Sequence, residues 1–320
     1  MATRFLKSGN PVSLFVIILG AAALRSVALW NVSSLPTNES ETYFYSLFFS
    51  TAASIPWLSF VLAFILAAFQ GFFFNKIVEE QKLIPRVSNL PVAIYLLFSS
   101  LIPALVFLSP QLLGLTFAVL AIKKLFSNSK SAFSVRTYFT SGLFLGLAAL
   151  FEQSMIVFLL FPVLNALYFH VQYVRSILVP LTGFILSIYL AHALASFIGG
   201  EFIWPENHLQ TGFAVKSKAE HYSLALFATL LLGFGFAAAG KLASETVQVR
   251  KMYLLFFWWS VLFAFSAIIS SSSLTSSFAL SVPAVSAFAG YSIFLSKRIK
   301  IANGILYGLL VLTIINQLFM

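Results

Sequence analysis

Eleven apolar stretches follow one another along this chain, parted only by short polar breaks, and that pattern leaves lipid as the solvent in which it can fold. They run approximately over 12–30, 54–74, 91–108, 110–124, 137–151, 155–168, 177–198, 223–240, 253–269, 276–295 and 301–320. A membrane-spanning helix needs about 20 apolar residues, and somewhat fewer inside a bundle. A soluble protein carries roughly 25% charged residues to hydrate its surface. Here 9% of 320 residues are charged and 60% are hydrophobic, with a mean hydropathy of +0.97. The 37 Phe agree, because lipid tolerates exposed rings that water does not. The expected fold is all-α: a polytopic transmembrane helix bundle of about 11 helices, with residues 1–320 forming a single membrane domain.

The basic residues give this bundle an orientation. With the N-terminus cytoplasmic and every stretch crossing, Arg4, Lys7, Lys76, Lys82, Arg86, Lys123, Lys124, Lys130, Arg136, Arg175, Lys241, Arg250, Lys251, Lys297, Arg298 and Lys300 all fall inside. That is 16 of the 19 Lys and Arg, leaving Arg25, Lys216 and Lys218 elsewhere. One miscounted helix would invert every later loop and spoil the alternation. The weakest step is the pair on either side of Glu152, since the stretch 137–151 is barely long enough to span a bilayer. The net charge of +10 is thus an insertion signal, and nucleic acid is not an expected partner. The short basic start resembles the first part of a signal peptide, but the apolar run continues to Trp30 without a small-residue cleavage site, so a retained first helix is expected. The expected location is the bacterial inner (cytoplasmic) membrane.

The chain has no Cys, which removes thiolate chemistry, iron–sulfur clusters and Cys-based zinc sites. All nine acidic residues are Glu. On the topology above six face outward: Glu39, Glu41, Glu152, Glu201, Glu206 and Glu220, with Arg25, His192, His208, Lys216, Lys218 and His221 on the same side. Insertion rules account for the charges inside and not for these, so the outer face is the place to look for chemistry.

Arg25 lies about five residues from the outer end of the first helix, roughly 7–8 Å below the surface at 1.5 Å per residue. It either snorkels to headgroup phosphates or lines a cleft that binds a lipid phosphate. Glu39 and Glu41 sit in the first outer loop, 31–50, where they solvate the chain or supply a general base. Glu152 interrupts an apolar stretch and is read either as a solvated turn or as a cavity-lining group. Gly142 and Gly146 before it let a neighbouring helix approach closely. The longest outer loop, 199–221, holds Trp204, His208, Lys216 and Lys218 as candidate substrate contacts. Its His and Glu residues lack the H-x-x-E-H and H-E-x-x-H spacings, so no metal site and no cofactor is expected, and a divalent metal is without support. No phosphate-binding loop or dinucleotide fingerprint occurs.

Residues 141–162, SGLFLGLAALFEQSMIVFLLFP, together with the acidic loop after the first helix, resemble the membrane core of the C-superfamily (GT-C) glycosyltransferases. These integral-membrane enzymes take sugars from polyprenyl-phosphate donors at the outer face. The resemblance covers roughly the first half of the chain and implies that a first-loop carboxylate, Glu39 or Glu41, is the catalytic group. The acidic pair containing Asp that marks the superfamily is missing. The stretch 70–110, with QGFFFNKIVEEQ and LPVAIYLLFSSLIP, is similar to a family of Bacteroidota polytopic inner-membrane proteins. That similarity implies location and architecture and carries no activity.

The sequence therefore leads to an envelope-biogenesis membrane protein with a glycosyltransferase-like core that binds a polyprenyl-phosphate carrier at the outer leaflet. Glu39 or Glu41 would be the base, Arg25, Lys216 and Lys218 the phosphate contacts, and Trp204 a sugar-stacking platform. The alternatives are a non-catalytic scaffold or partner subunit of an inner-membrane assembly, and a lipid or small-solute transporter. Expected partners are membrane lipids, the lipid carrier and other inner-membrane proteins.

Overall fold

The computed structural model describes residues 5–7, 9–31, 43–128, 133–169, 173–198, 218–269, 278–296 and 298–318. Among these residues there are thirteen α-helices, two 3₁₀ segments and no strand. In chain order the helices are α1 (Pro11–Asn31), α2 (Tyr43–Ser54), α3 (Pro56–Glu80), α4 (Leu90–Leu101), α5 (Pro103–Val106), α6 (Pro110–Ser127) and α7 (Val135–Phe151). A 3₁₀ segment (Gln153–Leu159) leads into α8 (Leu160–Phe169), followed by α9 (Tyr173–Phe197), α10 (Lys218–Leu242) and α11 (Val247–Ile269). A second 3₁₀ segment (Phe278–Ser281) opens α12 (Val282–Phe294), and α13 (Ile299–Leu318) follows.

Six helices among the described residues are long and apolar enough to cross a membrane, and five shorter apolar ones accompany them. Together they coincide with the eleven stretches read from the sequence. An all-α helical bundle is the fold, and membrane-spanning helices are its main elements.

Length follows position in the bundle. α4 buries all its residues except Leu97, and α12 all except Phe294. They pack against each other, with α1, α3 and α13 around α4 and α10 and α11 around α12. A helix that is apolar all round belongs in an interior. Enclosed by protein, such a helix need not match the hydrocarbon thickness on its own. The long helices α1, α9 and α13 instead bury fewer than a third of the residues in their apolar spans and leave Phe15, Leu19, Tyr189, Leu190 and Val311 exposed.

The short stretch after Glu152 gains length from its geometry. Its first seven residues are 3₁₀, which rises about 2.0 Å per residue against 1.5 Å for an α-helix. With the ten residues of α8 it reaches roughly 29 Å, close to the ~30 Å hydrocarbon core.

α7 and α9 cross at glycines. A Cβ on Gly142 would overlap the Pro180 carbonyl, one on Gly183 the Phe139 carbonyl, and one on Gly146 would lie 2.7 Å from the Ser187 Cβ. The Ser187 hydroxyl uses this closeness to donate to the Leu143 carbonyl, 2.9 Å away. The neighbour that the two α7 glycines admit is thus α9.

A buried amide ties three helices together. Gln70 on α3 accepts from the Tyr95 hydroxyl of α4 (2.9 Å) and donates to Leu112 O and Thr116 Oγ1 of α6 (2.9 and 2.7 Å).

The basic segments gather at one end of the bundle. Lys7 Nζ donates to Phe294 O (2.7 Å), and Lys241 Nζ donates to Ser292 O (3.0 Å). Gln81 donates to Phe126 O, the Tyr253 hydroxyl to Leu83 O, and Lys251 Nζ to Tyr168 O. The Tyr291 hydroxyl donates to Glu245 (3.1 Å). Burial, and then the charge of Lys241, holds the Lys7 ammonium below its ordinary pKa. Several of these cations bond last-turn carbonyls, which carry the negative end of a helix dipole.

Candidate functional site

The opposite end of the bundle is built around a break in a helix. Pro103 has no N–H to donate and its ring crowds the preceding turn, so α4 stops at Leu101 and Ile102 is extended (φ −100°, ψ 118°). The last carbonyls of α4 then lack helical donors, and a membrane offers no water to replace them. α13 supplies replacements: Asn316 Nδ2 donates to Leu101 O (2.7 Å) and Gln317 Nε2 to Ser100 O (3.0 Å).

Arg25 enters the same place from α1. Its Nε donates to Ser100 Oγ (2.8 Å) and its Nη2 to Ser99 Oγ (2.7 Å), and both serine hydroxyls donate to Leu96 O. The guanidinium lies 6.0 Å from the Phe64 ring centre. The residue is fully buried (0% exposed), so it does not snorkel to the surface. Among the described residues its Nη1 has no hydrogen-bond partner. Among the described residues the one ion pair is Lys76–Glu80, at 4.0 Å, so no carboxylate there balances Arg25. The α4 terminus contributes roughly half a negative charge. The guanidinium is thus a buried cation that no carboxylate among the described residues balances, an arrangement that is costly when left unpaired.

Glu152 occupies a second polar position. It ends α7, and its backbone turns extended (φ −136°, ψ 105°). It is 5% exposed, which argues against a solvated turn. The Ser154 hydroxyl donates to its carboxylate (2.8 Å), and the buried Gln111 side chain is an electrostatic neighbour. Gln111 lies in the first turn of α6, whose positive end favours an anion. Gly114 lets this helix close on Glu152, since a Cβ there would meet the Glu152 Cβ at 3.1 Å.

Packed against α3 and α7 is α2, most of it in the stretch 31–50 that the sequence assigns to the first outer loop. The segment from Tyr43 onward is helical, and the Tyr45 hydroxyl donates to Leu108 O (2.8 Å). The Ser59 hydroxyl accepts from the Leu108 N–H (2.9 Å). This second break in the chain, before Pro110, is again sealed from neighbouring helices.

Of the candidates read from the sequence, Arg25 and Glu152 are thus placed as buried polar centres. Glu39, Glu41, Trp204, His208 and Lys216 lie outside the described residues; Lys218 begins α10, and its side chain lies outside them too. Ser99, Ser100, Asn316 and Gln317 carry the polar site around Arg25, and sequence reasoning missed them. Serines one after another in an apolar run, and an Asn-Gln pair closing another, were the signal to be read. No family model matches the chain, and neither does any curated protein or solved structure.

Proposed function

We propose that this chain is an inner-membrane protein that binds the phosphate of a lipid carrier, of the polyprenyl-phosphate class, around Arg25 at the outer end of the bundle. The observation that carries the reading is the buried guanidinium with Nη1 unbonded and no carboxylate against it among the described residues. A phosphate oxygen satisfies both needs at once, since an arginine fork matches a phosphate in charge and geometry. Ser99 and Ser100 hold the fork in place. In this reading the eleven apolar segments all cross, the N-terminus is cytoplasmic, and the end that gathers the basic residues faces the cytoplasm. If the protein is an enzyme of the GT-C type, Glu39 or Glu41 acts as the base, and Arg25 stabilises the lipid-phosphate leaving group.

A second reading has its own observation. Arg25, Asn316 and Gln317 all bond to Ser99–Leu101, and this alone locks α1 and α13 onto the broken end of α4. The guanidinium is then a structural pin in a non-catalytic scaffold or partner subunit.

Mass spectrometry of lipids co-purified in mild detergent separates the two, with thermal unfolding measured on the same samples. The carrier reading expects polyprenyl-phosphate species on the wild type, lost in Arg25→Ala, and sugar-loaded carrier accumulating in Glu39→Gln or Glu41→Gln. Bulk phospholipid alone in every sample, with a lower melting temperature for Arg25→Ala, would overturn it in favour of the scaffold.

A further inference from the structure

A groove of about 610 Å³ opens on the bundle's flank between three elements. The first 3₁₀ segment and α8 form its floor through Ile156, Leu160 and Val163; α9 supplies Leu181 on one side, and α11 supplies Trp258 and Phe265 on the other. Every lining side chain is aliphatic or aromatic. Ile156, Leu160 and Phe265 are 41%, 56% and 55% exposed, so nothing within the described chain covers them.

The lining tells what kind of occupant fits. Helices meet in membranes through small residues that let backbones close up, as the α7–α9 glycines do here. This groove has no Gly, Ala, Ser or Thr, and branched side chains hold any second backbone away. A hydrocarbon chain has no backbone to bring close and fills such a channel through dispersion contacts.

The end of the groove tells which lipid. Lys251, Trp258, Leu262 and Phe265 follow one another at positions i, i+7, i+11 and i+14, near whole numbers of turns, so they share a face of α11. Lys251 stands about 10 Å along the helix from Trp258, at 1.5 Å per residue. Its Nζ donates to Tyr168 O (2.6 Å) and lies 5.6 Å from the Phe169 ring centre. The Tyr168 hydroxyl in turn accepts from Trp258 Nε1 (2.9 Å). An ammonium carries three donors, and the Tyr168 carbonyl takes one. Exposed Arg175 of α9 and Arg250 of α11 flank the same end.

We infer that this groove holds one chain of an anionic phospholipid whose headgroup phosphate sits at Lys251. The site is separate from the Arg25 position, at the other end of the bundle, and in the proposed topology it belongs to the cytoplasmic leaflet, where basic side chains attract anionic lipid. Its failure would leave the Arg25 reading untouched.

Trp258 reports occupancy directly, because bromine on a lipid chain quenches an indole that it touches. The protein is reconstituted in vesicles with rising fractions of phosphatidylglycerol or phosphatidylcholine carrying brominated chains, and subtraction of Trp258→Phe isolates the signal. Half-maximal quenching is expected at a several-fold lower fraction of brominated phosphatidylglycerol than of phosphatidylcholine. Lys251→Gln should erase that preference while leaving quenching by phosphatidylcholine unchanged, which also shows that the fold survives. Val163→Phe, which narrows the floor, should lower the maximum for both lipids. Equal quenching by the two headgroups in the wild type would reduce the groove to ordinary boundary lipid and overturn the inference. A Trp258 that neither lipid quenches would also overturn it, by showing the groove covered by protein.

Discussion

At Gly142 any Cβ would overlap the Pro180 carbonyl, and at Gly146 it would press on Ser187. The atoms in the way belong to backbone or to a packed neighbour and cannot swing aside, so α7 and α9 must separate to admit even a methyl. Overpacking of this kind costs about 1–3 kcal/mol. Gly142→Ala is therefore expected to lower the melting temperature of the detergent-purified protein clearly. Gly304 and Gly308 on α13 have nothing within 4 Å of the place a Cβ would take. There the better helix propensity of alanine, up to about 1 kcal/mol, should leave stability unchanged or slightly raised. Equal behaviour of Gly142→Ala and Gly304→Ala in the same thermal assay would refute the close crossing.

Breaks in helices are where elements meet through polar groups, and they are only half legible in the sequence. Pro103 and Ser109-Pro110 announce themselves, because a proline ring and a missing N–H act locally. What seals the broken ends is not local: Asn316 and Gln317 lie more than two hundred residues from the carbonyls they satisfy, and Arg25 reaches serines 74 and 75 residues away. The eleven apolar segments are readable for the opposite reason, since hydropathy is a property of each segment by itself. The helix over Tyr43–Ser54 is hidden in the sequence because its aromatic, uncharged residues suit a membrane interface and a packed helix equally. The 3₁₀ form of Gln153–Leu159, which lets a short segment reach across, leaves no mark in composition. The sealing of α4 makes a prediction at this scale. Asn316→Leu with Gln317→Leu strips two carbonyls of their donors in a medium without water, at about 1–3 kcal/mol each. A fall in thermal stability is expected, larger than that of Tyr307→Leu at an exposed position of the same helix; no difference between the two would mean that α13 is not the seal.

The contacts that join Leu6 to Ser88, Lys7 to Phe294, Leu83 to Tyr253 and Tyr168 to Lys251 bring together segments that are far apart in the chain. They require the ends of many helices to lie on one side, and those ends are the basic ones. This arrangement makes the proposed topology a matter of parity: if the segment Gln153–Phe169 failed to cross, every later segment would face the other way. The absence of Cys makes parity directly measurable, because a single introduced thiol is the only one present. Val87 and Ser244 stand exposed at the basic end, before and after that segment; Ser54 and Ser196 stand exposed at the other end. In intact cells an impermeant maleimide is expected to label Ser54→Cys and Ser196→Cys and to spare Val87→Cys and Ser244→Cys, which should react only after permeabilisation. Labelling of Ser244→Cys from outside together with protection of Val87→Cys would show that the segment turns back. The positive-inside rule would then fail over Arg175, Lys241, Arg250, Lys251, Lys297, Arg298 and Lys300, and the headgroup site at Lys251 would move to the outer leaflet. Agreement at all four positions would fix the basic end in the cytoplasm and place Arg25 and Glu152 on the outer side, as the proposed lipid-carrier reading requires.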